Sequence, residues 1–307
     1  MAQIVLHQAV SMFLLILVGA GCFKLHLLSK ETVSQISGLV LKVVNPVVIF
    51  MAYQREFQAE LVRNLGWTFL LSVIAYAIAM AVSYLCIREK EGRETVIERF
   101  SCIYSNCGFM GIPLVKSMFD YEGVFYLTAF LTVFNALVWS HGVMQMSGEK
   151  SLKSLGKILR SPAIIAIILG MLFFFVQISL PDVLSETLDS LGNLNTPLAM
   201  IVAGATIVQT NLLKTFRKPR VFYISLIKLI LIPVLITGIF MLIPGEKIVE
   251  MTVVAAMAAP SAAICTMQCL NYNRNAAYAS ELFGVTTLFS IATMPLMMIL
   301  YELTMKL

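Results

Sequence analysis

Asn106-Cys107-Gly108-Phe109-Met110-Gly111-Ile112-Pro113 interrupts an otherwise apolar, membrane-length segment with a polar amide, two glycines and a proline. A helix meant only to cross lipid has no use for that combination. Proline removes a backbone donor and crowds the preceding turn, and glycine loosens the helix around it. Irregular backbone at bilayer depth persists only where protein or a water-filled cavity satisfies the freed polar groups. Residues 106–113 therefore read as half of a substrate site, whose partner lies further along the chain.

The surrounding composition places this stretch in a membrane. The chain has 307 residues, 59% hydrophobic and 13% charged, with a mean hydropathy of +0.87; a soluble domain carries roughly 25% charged residues. The fold expected is an all-α polytopic membrane protein. Met1 to Val10 lacks the basic region of a cleaved signal peptide, and Gly19-Ala20-Gly21-Cys22 lacks the flank of a lipoprotein cleavage site. Cys22, Cys86, Cys102, Cys107, Cys265 and Cys269 lie in or beside apolar segments without a CxxC pair, so they read as small packing residues. His7, His26 and His141 are scattered, and no HExxH, GxSxG or Walker-type loop is present. Neither an enzyme nor an ATP-driven pump is expected, and no cofactor.

A span needs about 20 apolar residues. On that ruler ten segments qualify: 5–23, 33–53, 65–87, 101–119, 124–146, 162–180, 185–208, 221–243, 248–270 and 276–301. Connectors after odd-numbered spans hold 15 lysines and arginines, the others 5. The positive-inside rule places the richer side in the cytoplasm and both termini outside. The net charge of +5 is thereby read as orientation and anionic-lipid contact, with no nucleic-acid partner.

An even span count with both ends outside is compatible with two five-span halves of opposite orientation, residues 1–146 and 162–307, joined by a short cytoplasmic linker at 147–161. Asn45-Pro46 in span 2 has a counterpart in Asn195-Thr196-Pro197 of span 7, and Pro113 in span 4 has one in Pro260-Ser261 of span 9. The proline offsets are 151 and 147 residues. Interrupted helices at matching places in two halves point to a transporter site on inverted repeats. If spans 4 and 9 cross, the half-helices beginning near Pro113 and Pro260 aim their N-terminal ends at the crossing, where unpaired N–H groups favour an anion. Asn106, about two turns before Pro113, can donate its amide to a carboxylate. Ser261 offers a hydroxyl, and Gly108 and Gly111 permit close approach.

At these residues the chain resembles a known family. Asn106 to Leu114 is similar to the Asn-x-x-x-x-Gly-Ile-Pro-Leu segment of auxin efflux carriers. Ala259-Pro260-Ser261 with Asn271-Tyr272-Asn273 resembles that family's second crossover and following turn, Leu191 to Thr206 is a looser match, and Trp139-Ser140-His141-Gly142 is similar to its fifth span. The resemblance covers essentially the whole chain. It implies ten spans in two inverted repeats, broken crossover helices 4 and 9, a scaffold and a transport domain each built from both repeats, and elevator-like alternating access for organic anions. It further implies Asn106 as the carboxylate-contacting residue, and homodimers, since family members often pair. The short linker is similar to the bacterial branch of malonate- and malate-permease-like transporters. Ser261 stands where plant carriers have glutamine, a departure that speaks against an aromatic auxin.

Ionisable groups inside the bilayer are costly and mark function or snorkel to the surface. Lys42, four residues before Pro46, is expected to tune the site or to pair with Glu281. Lys228 is expected to snorkel or pair. Glu281 could exchange a proton, while Asn45, Asn195 and Thr196 with exposed carbonyls could hold Na⁺, a hard cation that wants several oxygens. The function expected is a secondary transporter of a small organic anion in the cytoplasmic membrane. The alternatives are a sodium-coupled symporter of bile-acid type and a membrane sensor that binds the ligand without moving it.

Overall fold

The computed structural model describes residues 2–148, 156, 159–210, 212–243 and 245–304. Most of the expected linker at 147–161 lies outside the described residues. Among these residues the architecture is helical without a strand: α1 (Ala2–Lys24), α2 (Lys30–Leu39), α3 (Asn45–Ala52), α4 (Ala59–Cys86), α5 (Thr95–Ile103), α6 (Ile112–Leu137), α7 (Val143–Ser147), α8 (Pro162–Val176), α9 (Asp182–Asn193), α10 (Asn195–Gln209), α11 (Pro219–Leu226), α12 (Ile232–Phe240), α13 (Lys247–Ala258), α14 (Ile264–Asn271) and α15 (Ala276–Thr304). Among the described residues seven helical stretches are long and apolar enough to cross a membrane.

Proline sets much of the local geometry. Three π turns, Val40–Val44, Cys107–Gly111 and Ile227–Leu231, each end two residues before Pro46, Pro113 or Pro233. In each, the residue just before the proline donates its N–H five residues back, Asn45 to Val40, Ile112 to Cys107 and Ile232 to Ile227. A proline offers no N–H and its ring clashes with the carbonyl four residues earlier. Widening the helix by one residue answers both problems, so the chain stays helical and bends instead of stopping. The expectation that Pro113 marks the break in span 4 is therefore corrected: Pro113 sits inside a continuing helix, and the break precedes it. Spans 4 and 5 also join without a loop. Asp120 alone leaves helical geometry (φ 51°, ψ −147°), and a side chain at Gly123 would lie 2.7 Å from Phe119 Cβ and Val115 Cγ1.

The helices gather in two groups. α1 packs along α10, and α3 packs on α8 and α9; α13 packs on α4, α6 and α15, and α14 on α15. The groups meet where α1 touches α15, α3 touches α6, and α10 touches the Cys107–Gly111 turn. The α1–α10 contact is made backbone to backbone. A Cβ on Gly204 would lie 1.9 Å from the Ile16 carbonyl oxygen, and one on Gly19 would lie 2.2 Å from that of Ile201. Close approach of this kind is how helices associate in lipid, where tails compete equally for apolar surface.

Several charged side chains pair between helices. At the end bearing the basic connectors, Arg220 grips Glu98 through both carboxylate oxygens, Nε at 2.9 Å and Nη2 at 2.6 Å. Tyr278 donates to the same carboxylate at 3.0 Å. Lys218 pairs with Glu281 at 2.6 Å. Glu98 is only 1% exposed, so these bonds replace the water it has lost. Glu98→Gln is expected to cost about 3 kcal/mol, the low end for breaking a buried pair because Arg220 keeps some solvent. The reading is a lowered midpoint in thermal unfolding of the purified protein, with Glu89→Gln as an exposed comparison that leaves it unchanged.

Candidate functional site: the junction of two broken helices

α5 ends at Ile103 and helix resumes at Cys107; α13 ends at Ala258 and helix resumes at Ile264. The two interruptions lie against each other. Ser105 and Ser261 form an antiparallel bridge, with Asn106 N–H donating to Pro260 C=O at 2.7 Å and Ala262 N–H to Tyr104 C=O at 2.9 Å. Each break thus satisfies backbone groups of the other. The second break follows from the sequence directly: a residue before proline is pushed out of the helical region, and Ala259 sits at φ −60°, ψ 151°.

Asn106 lies within the first break, not two turns from it. It is 6% exposed, and its side-chain Nδ2 is buried without a hydrogen-bond partner. The helix that starts beside it at Cys107 carries first N–H groups with no intrahelical carbonyl to bond. A Cβ on Gly111 would crowd Cys107 Cβ at 3.3 Å and make ordinary contact with Ala256 Cα at 3.8 Å. A Cβ on Gly108 would lie 3.2 Å from Asn45 Nδ2. Pro260 contributes its carbonyl to the bridge.

Ser261 serves the scaffold of the junction. Its hydroxyl donates to Ser101 C=O at 3.0 Å and its N–H to Thr286 Oγ1 at 3.2 Å. The expectation that this hydroxyl donates to a substrate is corrected accordingly: its one proton is already placed.

Asn45 and Asn195, 150 residues apart, are brought together: Asn195 Nδ2 donates to Asn45 Oδ1, and Asn45 Nδ2 reaches Gly108 C=O at 3.3 Å. Asn195 Oδ1 is buried without a partner, and Thr196 and Pro197 follow it, half-buried, at the start of α10. This pair ties both proline-marked segments to the first break. Asn45→Ala leaves the Asn195 amide and the Gly108 carbonyl unanswered, and is expected to lower stability by about 1–3 kcal/mol, visible as a lower unfolding midpoint.

Lys42 and Glu281 do not meet. Lys42 faces outward beside exposed Leu41 and Val43, while Val40 and Val44 of the same turn face in; Glu281 belongs to Lys218. Lys228 neither snorkels nor finds a carboxylate. It is 0% exposed, with Nζ donating to Ser105 Oγ at 2.5 Å. The π turn before Pro233 carries it inward together with Ile227 and Leu229. Sequence reading missed this residue at the junction. A lysine within an apolar span was the available signal, but its direction depends on the helix widening locally.

A second group missed from the sequence reaches the junction from the fifth span. His141 bonds Tyr104 Oη through Nδ1 at 2.8 Å and Tyr84 Oη through Nε2 at 3.2 Å. Tyr104 also donates to Leu137 C=O at 3.0 Å. Gly142 makes room, since a Cβ there would stand 2.9 Å from Phe100 Cε2.

The arrangement offers an unpaired amide donor and the N-terminal end of a helix at a point where two segments of opposite direction unwind, a setting suited to an anionic oxygen. Residues 4–298 match the family described as membrane transport protein. The comparison with curated proteins finds no match.

Proposed function

Because the chain belongs to the membrane transport protein family, as the resemblance to auxin efflux carriers anticipated, we propose that it is a secondary transporter of a small organic carboxylate, bound where the two broken helices meet. The observation that carries this reading is the Asn106 amide, buried with its Nδ2 unpartnered in the first break. A buried donor left unmade costs about 1–3 kcal/mol. A ligand oxygen removes that cost on binding, which makes the unpaired donor useful in a protein that must take up and release a guest. The first N–H groups of the helix at Cys107 add partial positive charge without adding a competing anion. The other junction residues keep the roles their geometry supports: Gly108 and Gly111 as points of close approach, Pro260 and Ser261 as the bracing of the second break.

In this reading the ten sequence segments cross the cytoplasmic membrane as two inverted halves, with the basic connectors in the cytoplasm and both termini outside. The Asn45–Asn195 bond and the Ser105–Ser261 bridge, each joining residues from matching places in the two halves, support that symmetry. The two packing groups supply a scaffold (α1, α3, α8, α9, α10) and a moving part (α4, α6, α13, α14, α15), and an elevator-like step slides one along the other. The malonate- and malate-permease branch is the substrate class we favour, and a homodimer the assembly.

Reconstituted liposomes test the proposal. Saturable, Asn106-dependent uptake of a radiolabelled dicarboxylate such as malonate is the expected result. Saturable binding without flux would instead identify a ligand sensor, and strict dependence of flux on Na⁺ would identify a sodium symporter.

A further inference from the structure

Lys228 lies about 14 Å along the segment that begins at Pro219, at 1.5 Å per residue. No part of it reaches the surface. Its Nζ donates to Ser105 Oγ at 2.5 Å and approaches the Met257 carbonyl oxygen at 3.4 Å. Ser105 Oγ in turn donates to that same carbonyl at 3.1 Å. Both acceptors belong to the junction. Met257 is the next-to-last residue of α13, so its carbonyl is among those a helix leaves unpaired, and Ser105 follows the end of α5 by two residues. Helix C-terminal ends carry partial negative charge. The ammonium therefore sits where two such ends come together.

Among the described residues nothing else neutralises it. The titratable groups that face it are the thiols of Cys102 and Cys107. Among the described residues no carboxylate pairs with it: Glu98 is held by Arg220, Glu281 by Lys218, and Glu250 accepts from Tyr301. A buried charge lacking a counter-ion costs several kcal/mol. Methionine or leucine would fill the same space at no such cost, so the positive charge has a use.

We propose that Lys228 is the resident cation of the junction, a tethered charge that does for the bound carboxylate what a sodium ion would otherwise do. Carboxylate binding is then independent of sodium. The inference rests on reading the junction as the carboxylate site, and it names the charge that site uses. The ammonium cancels the negative ends of α5 and α13, which leaves the positive start of the helix at Cys107 unopposed. The bound anion supplies the counter-charge that the protein itself withholds. Sodium would need several oxygens at this place, and the two that face it, Ser105 Oγ and the Met257 carbonyl, are already engaged by Lys228.

The test measures thermal unfolding of the purified full-length protein with malonate or benzoate as probe, in sodium chloride and in choline chloride, since a ligand of the native state raises apparent stability. For the natural chain the expected result is the same ligand-dependent shift in both salts. Lys228→Met, neutral and of similar length, is expected to unfold no lower without ligand and to bind the probe about 30-fold or more weaker. Lys228→Ala is expected to lose the shift in choline and to regain it when methylammonium or sodium enters the vacated space. An undiminished shift in Lys228→Met, or a requirement of the natural chain for sodium, overturns the inference while leaving the carboxylate site standing, provided Asn106→Ala still abolishes the shift. Absence of any shift in the natural chain removes the site, and this role of Lys228 with it.

Discussion

Asn106→Ala is expected to weaken carboxylate binding about 10- to 150-fold, the worth of a hydrogen bond to a charged group, and to abolish saturable transport at working substrate concentrations. The same change is expected to leave the ligand-free protein as stable as before or more so. That sign follows from the orphaned Nδ2: a structural asparagine would lose a bond on truncation, whereas this one gives up only an unmet demand. Asn45 supplies the contrast, because its amide is spent on Asn195 and Gly108 and its removal lowers stability. The two measurements, liposome flux and unfolding midpoint, separate the readings cleanly. Normal transport by Asn106→Ala at normal expression would end the assignment, and so would a lowered midpoint comparable to that of Asn45→Ala.

Gly204→Leu is expected to have the largest effect on folding. Even the first added carbon would stand 1.9 Å from the Ile16 carbonyl oxygen and 2.9 Å from the Ala20 nitrogen. The opposing atoms are helix backbone, which cannot rotate aside as a side chain does. α1 and α10 must separate along their length, and with them goes the most extensive helix pairing among the described residues. Overpacking in a core typically costs about 1–3 kcal/mol and rises when nothing yields; here about 4 kcal/mol or more is expected, enough to lose the folded protein. The observable is disappearance of the monodisperse peak in detergent size-exclusion chromatography. Gly21→Leu, on the facing helix α1, is the matched comparison. A Cβ at Gly21 meets nothing within 4 Å, so that variant is expected to elute normally. Equal behaviour of the two would show that the α1–α10 contact is not made as described.

Much of this protein was legible as a string of residues because the bilayer imposes simple rules. Length and hydropathy announce helices whatever their neighbours, so α1, α4, α8 and α15 begin and end close to where the apolar runs do. The Asn45 and Asn195 motifs, and Pro260 with the residue before it, are local chemistry, and they mark real departures from regular helix. The Asn106 segment was likewise marked as irregular. Its break was misplaced, because Pro113 is absorbed by a π turn whose extra residue depends on the packing around it.

Direction and pairing belonged to the tertiary structure. Which way Lys228 points, which oxygen accepts from Ser261, and which lysine reaches Glu281 depend on helices brought together from distant parts of the chain. A helix fixes the order of its faces by its own periodicity, but a single widened turn rotates everything beyond it. That rotation is decided by what packs alongside. The sequence by itself therefore determined that the chain would depart from regular helix at 106–113 and near 260; only contact in space determined that the Asn106 amide would be left unpaired and the Lys228 ammonium enclosed.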